Sequence, residues 1–235
     1  MATISANLQA VGRRIAAAAR AAGRDPGSVR LLAVSKTFSD TAIRAAAAAG
    51  QRAFGENYVQ EALAKMAALS DLDLEWHFIG PLQSNKTRAV AEHFDWVHSV
   101  DRMKIAERLS AARAGRPALQ VCLQVNTSGE ASKGGVAPEE AADLATAIAR
   151  LPHLRLRGFM TIPEPAQDAT LLRSRFRLLR QLRDAANARG LALDTLSMGM
   201  SDDLEAAILE GATIVRVGSA IFGTRARSQE RKQIL

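Results

Sequence analysis

Residues 197–201 read SMGMS and residues 215–219 read VRVGS. In each, a short apolar run ends in glycine and a small hydroxyl residue. Glycine at such a point lets the backbone bend sharply and approach a ligand, and adjacent N–H groups in the turn can cradle a phosphate. Arg216 stands two residues before Gly218. If Gly218 faces the rim of a sheet, Arg216 lies one layer lower and points the same way. One anion would then be held by amides, and a second polar group would be read by the guanidinium. Much earlier in the chain Lys36 closes the run RLLAVSKT, residues 30–37. A lysine at a strand end is commonly a solvated charge. Turned inward among apolar walls, it would lose proton affinity and become a nucleophile toward an aldehyde. The aldehyde that also carries a phosphate is pyridoxal 5′-phosphate, and the lysine, the two turns and the in-strand arginine together point to it.

Other residue types narrow the chemistry. His77 is either a ligand-facing base or a core histidine bonded to the backbone, and the sequence leaves both open. His93, His98 and His153 do not fall at metal-ligand spacing with it, and no Cys/His cluster occurs, so no metal site is expected. No G-x-S-x-G or P-loop pattern is present. The single cysteine, Cys122, sits in LQVCLQV and reads as a small buried hydrophobe. Arg173, Arg175, Arg177, Arg180 and Arg183 make one helix strongly basic. Without interleaved aromatic residues this reads as a solvated outer face rather than a nucleic-acid footprint.

These residues need elements to position them. An alanine-rich amphipathic helix is expected over 3–22, with Leu8, Val11 and Ile15 on one face. Strands follow at 30–37, 52–55, 75–80, 96–100, 119–126, 154–162, 195–198 and 214–218, each separated from the next by a helical stretch. Ser201 stands where an N-cap belongs, with Asp202 and Asp203 in the first turn behind it. Strict alternation with about eight strands implies a parallel sheet with helices outside. A closed (β/α)8 TIM barrel needs about 250 residues, close to the 235 available. The expectation is one α/β barrel domain over 1–235, preceded by an additional N-terminal helix. Ligands bind such barrels at the C-terminal ends of the strands, and there Lys36, Glu56, Asn57, His77, Gln83, Asn85, Asn126, Thr161, Ser201, Arg216, Gly218 and Ser219 gather.

Composition sets the surroundings. The hydrophobic fraction is 48%, and Lys+Arg is 31 against Asp+Glu 24, a net charge of +7 that favours anionic ligands. A lone cysteine forbids an internal disulfide and fits a reducing, cytoplasmic setting. No apolar run approaches a membrane span, and the first residues lack a signal-peptide core. A monomer is expected, since a closed barrel leaves no strand edge to pair.

The stretches VSKT, FGENYVQE, WHFIGPLQSNK, RGFMTIP, LSMGMSDDLEAAI and VRVGSAIFG, in this order from about residue 31 to 225, resemble the pyridoxal phosphate homeostasis protein family. That resemblance implies a barrel of the alanine racemase N-terminal type with pyridoxal 5′-phosphate as cofactor. It implies Lys36 as the Schiff-base lysine, and Ser201 with the amides of Gly218 and Ser219 as phosphate ligands. Arg216 would face the pyridine nitrogen and Asn57 would lie near the ring. His77 would line the pocket, and Met198 and Gly199 would contact the cofactor. Asp202 and Asp203 sit awkwardly beside a phosphate, so their carboxylates are expected to turn to solvent. Apart from the resemblance, Lys133 in TSGEASKGG reads as a solvated loop residue, with a secondary role in receiving or releasing cofactor as its alternative.

Two functions compete. One is a binder and carrier in cellular vitamin B6 homeostasis, without catalytic turnover, handing cofactor to apo-enzymes that depend on it. The other is an amino-acid racemase or decarboxylase on the same barrel. Racemisation needs acid–base groups on both faces of the cofactor. The chain's one tyrosine, Tyr58, begins a βα helix, and an arginine at the ring nitrogen weakens the cofactor as an electron sink. Both points favour the carrier. A nucleic-acid-binding module, resting only on the net charge and the one basic helix, ranks last.

Overall fold

The computed structural model describes residues 3–130 and 134–223. Eight parallel strands close into a barrel in sequence order: β1 (Arg30–Val34), β2 (Ala53–Glu56), β3 (Glu75–Phe78), β4 (Trp96–Val100), β5 (Leu119–Gln124), β6 (Leu154–Met160), β7 (Thr195–Ser197) and β8 (Ile214–Val217). Closure is made by β1 on β8, with Arg30 opposite Ile214 and Leu32 opposite Arg216. The connecting helices are α2 (Asp40–Ala48), α3 (Val59–Ala68), α4 (Thr87–His93), α5 (Met103–Ala112), α6 (Ala141–Ile148), α7 (Ala169–Ala188) and α8 (Leu204–Leu209). The N-terminal helix α1 (Ile4–Ala21) precedes them, and a short α9 (Ser219–Phe222) follows β8. The expected TIM barrel with its extra first helix is therefore the observed architecture.

Alternation along each strand divides the core in two. Outward residues such as Phe54, Phe78, Phe159 and Met198 pack against helix residues such as Ile43, Leu109, Phe176 and Ile208 in one large buried cluster. Inside the barrel, Leu32, Val34, Ala53, Ile79 and Ile214 form one small cluster, and Trp96, Cys122 and Met160 form another. Cys122 is thus the buried hydrophobe expected, and burial pushes its thiol up to about 12. Leu8, Val11 and Ile15 of α1 are buried, and Thr3 caps that helix through the N–H of Ala6.

Several strands are shorter than the sequence pattern implies. β1 stops at Val34 because Thr37 adopts φ +69°, outside any extended run. Lys36 therefore sits in the β1–α2 turn rather than in the strand. Among the described residues no helix is long and apolar enough to cross a membrane, and no His/Cys/Asp/Glu group is arranged to hold a metal ion. The arginines of α7 are ion-paired within the protein. Arg173, Arg177 and Arg180 converge on Glu210, which is only 2% exposed. Arg175 meets Glu164 and Arg183 meets Asp184. Burial works to raise the Glu210 carboxyl, but hydrogen bonds from Arg177 and Arg173 hold it below its ordinary value.

Candidate functional site

Lys36, Asn57, Ser201, Arg216, Gly218 and Ser219 meet around one cleft of about 270 Å³ at the C-terminal rim. Its wall is completed by Val34, Phe38, Ile79, Ile162, Met200, Asp202 and Gly223. Six of the nine expected ligand-contacting residues are thus brought together, from the ends of four strands.

The β7 and β8 turns supply the polar lip. The hydroxyls of Ser219 and Ser201 lie 3.3 Å apart, and the Arg216 N–H donates to the Gly199 carbonyl at 2.9 Å, tying one turn to the other. Gly199 has φ +94°, and a Cβ there would stand 2.6 Å from the Cβ of Ala207. The turn can close against α8 only with glycine at this position. Gly218 is different: its φ is −117°, and a side chain there would press on the Val34 carbonyl at 3.1 Å.

Two expectations about this lip need correction. Ser201 does not cap α8, which begins at Leu204 with Asp203 in the N-cap position. Asp203 also does not turn to solvent. Its carboxylate accepts the Met200 N–H at 2.5 Å and stiffens the turn, and burial pushes its pKa up. Asp202 is exposed, as expected, and lines the cleft mouth. The physical reason is the extra turn at residues 201–203, which moves the helix start two residues downstream and leaves Ser201 facing Ser219.

Arg216 is 3% exposed and lies beneath the lip. Its guanidinium donates to Ser197 Oγ and to the Thr161 carbonyl, each at 2.8 Å. Burial lowers its pKa to about 10, with Asp203 opposing, so it remains a cation at neutral pH.

Lys36 is half-buried and lines the same cleft from the end of β1, the strand that neighbours β8. The peptides on either side of it are held by α3. Lys65 Nζ donates to the Ser35 carbonyl at 2.8 Å, and the Thr37 N–H donates to Glu61 at 2.6 Å. Lys65 also pairs with Glu61 and with the fully buried Glu56. Burial raises the Glu56 carboxyl despite hydrogen bonds from Lys65 and Ser35. Asn57 is fixed by close packing: a Cβ on Gly80 would fall 2.3 Å from the Asn57 carbonyl oxygen. The side-chain Oδ1 of Asn57 is buried with no hydrogen-bond partner among the described residues, so a polar ligand atom would satisfy it.

Three expected residues do not line the cleft. His77 points into the barrel one layer below Ile79 and is fully buried. Its ring nitrogens meet His98 Nε2 at 2.9 Å and Glu75 at 2.8 Å, and it stacks on Trp96 at 5.3 Å. It is the core histidine of the two alternatives, though its partners are side chains rather than backbone. Met198 faces the helix-side core, because the alternation that turns Ser197 inward turns Met198 outward. Gly199 serves through its backbone. Gln83, Asn85 and Asn126 also lie off the cleft wall, and Glu56 is committed to Lys65. Lys133 lies outside the described residues.

Sequence reasoning missed the bracing. Arg14 of α1 donates to the Ser201 carbonyl at 2.9 Å while paired with Glu205, and Asn7 donates to the Ile221 carbonyl at 2.8 Å. The N-terminal helix thus buttresses the segments after β7 and β8 from outside. The one local signal was the i,i+4 spacing of Glu61 and Lys65; contacts such as Arg14–Ser201 span most of the chain and leave no local trace.

Known proteins share this arrangement of elements. The sequence model of the alanine racemase N-terminal domain matches residues 6–226. The pyridoxal phosphate homeostasis protein of Pseudomonas aeruginosa is 63% identical over 226 residues, covering 96% of this chain and 97% of that protein. The protein of the same name from Escherichia coli K12 is 51% identical over 234 residues, covering 97% and 99%. Among solved structures, PipY of Synechococcus elongatus PCC7942 with pyridoxal phosphate bound has a TM-score of 0.79 at 42% identity, covering 91% of this chain and all of that one. With near-complete coverage and such identity, the chain belongs to the alanine racemase N-terminal domain family and, within it, to the pyridoxal phosphate homeostasis proteins.

Proposed function

We propose that this chain binds pyridoxal 5′-phosphate and acts in its homeostasis, holding the cofactor and passing it on rather than turning over a substrate. The observation that carries this reading is the cleft itself. It places a lysine, two converging serine hydroxyls and a buried arginine cation around one 270 Å³ space. The names of the homologous proteins and the ligand bound in PipY support the same reading.

The residues present fit this cofactor. Ser201 and Ser219, with the amides of Gly218 and Ser219, would hold its phosphate. Arg216 would donate to the ring nitrogen, and the unpartnered Asn57 Oδ1 would meet a polar ring substituent. When bound, the cofactor supplies an aldehyde to which the Lys36 amine can add reversibly. The protein's part is to keep that amine in place through the Lys65–Glu61 pair and to keep a positive charge beneath the ring. A guanidinium gives up its proton with difficulty, so the ring nitrogen would gain a donated hydrogen bond and no proton. In this reading the protein is a cytoplasmic monomer of one domain, and apo-enzymes that need the cofactor are its recipients.

The enzyme alternative requires a second acid–base group opposite Lys36. Among the described residues lining the cleft, the titratable side chains besides Lys36 are Asp202 and Arg216. The one tyrosine, Tyr58, is 58% exposed and does not line it. The deciding experiment loads the protein and supplies a dependent apo-enzyme in one arm and common amino acids in deuterated water in the other. Cofactor transfer, with α-proton exchange no faster than in Lys36→Ala, is expected. Many turnovers of stereospecific deuterium incorporation, dependent on Lys36 and lost in Asp202→Asn, would overturn the carrier reading.

A further inference from the structure

A line of hydrogen bonds runs down the barrel from the cleft to its far end. Arg216 Nη1 meets Ser197 Oγ at 2.8 Å, and Ser197 Oγ meets His98 Nδ1 at 2.7 Å. His98 Nε2 meets His77 Nδ1 at 2.9 Å, and His77 Nε2 meets Glu75 Oε1 at 2.8 Å. Glu75 opens β3 at the opposite rim and is held there by both Nη atoms of Arg30. Ser197, His77 and His98 are fully buried. None of these three lines the cleft.

The ends of the line fix the proton on every member. Burial works to raise the Glu75 carboxyl, but hydrogen bonds from His77 and Arg30 bring it down to about 2, so it is a carboxylate and can only accept. His77 must therefore donate from Nε2. Burial depresses both imidazoles, His98 most strongly. A neutral His77 that donates from Nε2 accepts at Nδ1, so His98 donates from its own Nε2. His98 then accepts at Nδ1, which leaves the Ser197 hydroxyl as the only donor for that bond. With its proton directed at His98, Ser197 presents lone pairs to Arg216, which can only donate. Every bond points from the cleft toward Glu75, and no other assignment with both imidazoles neutral satisfies all four contacts.

We infer that Ser197, oriented through His98 and His77 by the Glu75 carboxylate, is a positioning residue for Arg216 that locks one guanidinium arm and leaves the group facing the cleft as a fixed donor. The Thr161 carbonyl holds the other arm. For ligand binding the inference rests on the cleft being a pyridoxal 5′-phosphate site; for the guanidinium itself it does not. The near neighbours of this line are the Trp96 ring stacked on His77, the buried neutral Cys122 thiol, and the Asp203 carboxylate, whose charge acts on Arg216.

The test has two readouts on the full chain. In ligand-free protein labelled with ¹⁵N, histidine two-bond correlations at neutral pH should show His77 and His98 neutral and protonated at Nε2. The Arg216 Nη signals should be resolved individually, as for a guanidinium that cannot rotate. Ser197→Ala should merge those Nη signals, and Ser197→Thr, which keeps the hydroxyl, should restore them. Pyridoxal 5′-phosphate titration should weaken on the order of tenfold in Ser197→Ala, the cost of a lost hydrogen bond to a charged group, and recover in Ser197→Thr. A proton on Nδ1 of His98 in the wild type overturns the inference, and that measurement stands even if Ser197→Ala does not fold. So does a Ser197→Ala protein with unchanged Nη signals. Should the wild type take up no pyridoxal 5′-phosphate, the ligand reading fails alone, and the nitrogen signals still decide the positioning role.

Discussion

Lys65 donates its ammonium to the carbonyl of Ser35 at 2.8 Å, the peptide immediately before Lys36. The same ammonium pairs with Glu61, whose carboxylate accepts the N–H of Thr37, the residue immediately after it. Lys36 is thereby bracketed by one i,i+4 pair of α3. The bracket has a cost, because Thr37 takes φ +69°, a conformation that a β-branched residue holds at about 1–2 kcal/mol.

Removing the bracket should loosen Lys36, and relieving the strain should partly restore it. Glu61→Ala is expected to lower stability by about 1–2 kcal/mol and to slow reaction of the Lys36 amine with pyridoxal 5′-phosphate. Thr37→Gly added to it should return about 1 kcal/mol, since glycine adopts positive φ without steric cost. Denaturant unfolding of the two single variants and the double variant checks this; strict additivity with Thr37→Gly destabilising would refute it.

Borohydride reduction of the loaded protein should fix the cofactor to Lys36, since it is the lysine that lines the cleft. Peptide mapping of the adduct gives the answer. Label on Lys65, despite its three acceptors, or on Lys133 would reassign the site.

Gly199→Ala should destabilise by about 2 kcal/mol or more, through positive φ and overpacking together. The β7 turn carries the Ser201 hydroxyl, so cofactor affinity should fall with stability. An alanine variant with unchanged thermal unfolding would show that the turn can shift away from Ala207.

Stability should fall on mild acidification. His77 and His98 have folded-state pKa values below 6.5, so near that pH the unfolded chain takes up protons that the folded chain does not. Their contribution is complete above about 6.5 and is lost as pH drops from there, at about 1.4 kcal/mol per pH unit for each imidazole. Glu56, raised by burial, opposes them as pH nears the ordinary carboxylate range. A positive slope of stability with pH, of at most about two protons, is therefore expected just below about 6.5. Urea unfolding at stepped pH measures it, and His98→Gln should reduce the slope by about one proton.

Much of this molecule is written locally. Alternating apolar runs and alanine-rich helical stretches determine the eight strand–helix units. Glycine and serine at the strand ends mark the rim where Lys36, Ser201, Arg216, Gly218 and Ser219 meet. These features depend on residues a few positions apart, so periodicity and turn chemistry reveal them. Closure of the barrel decided the rest. Pairing of β1 with β8 and the inward layers of β3, β4 and β7 bring His77, His98 and Ser197 into one line with Arg216. No spacing in the chain announces this, because each contact joins different strands. The same holds for Glu210, which gathers α7 arginines thirty or more residues away in the chain, and for Arg14 beneath the Ser201 loop. Local sequence sets which side chain faces inward; only strand register sets which other side chain it finds there.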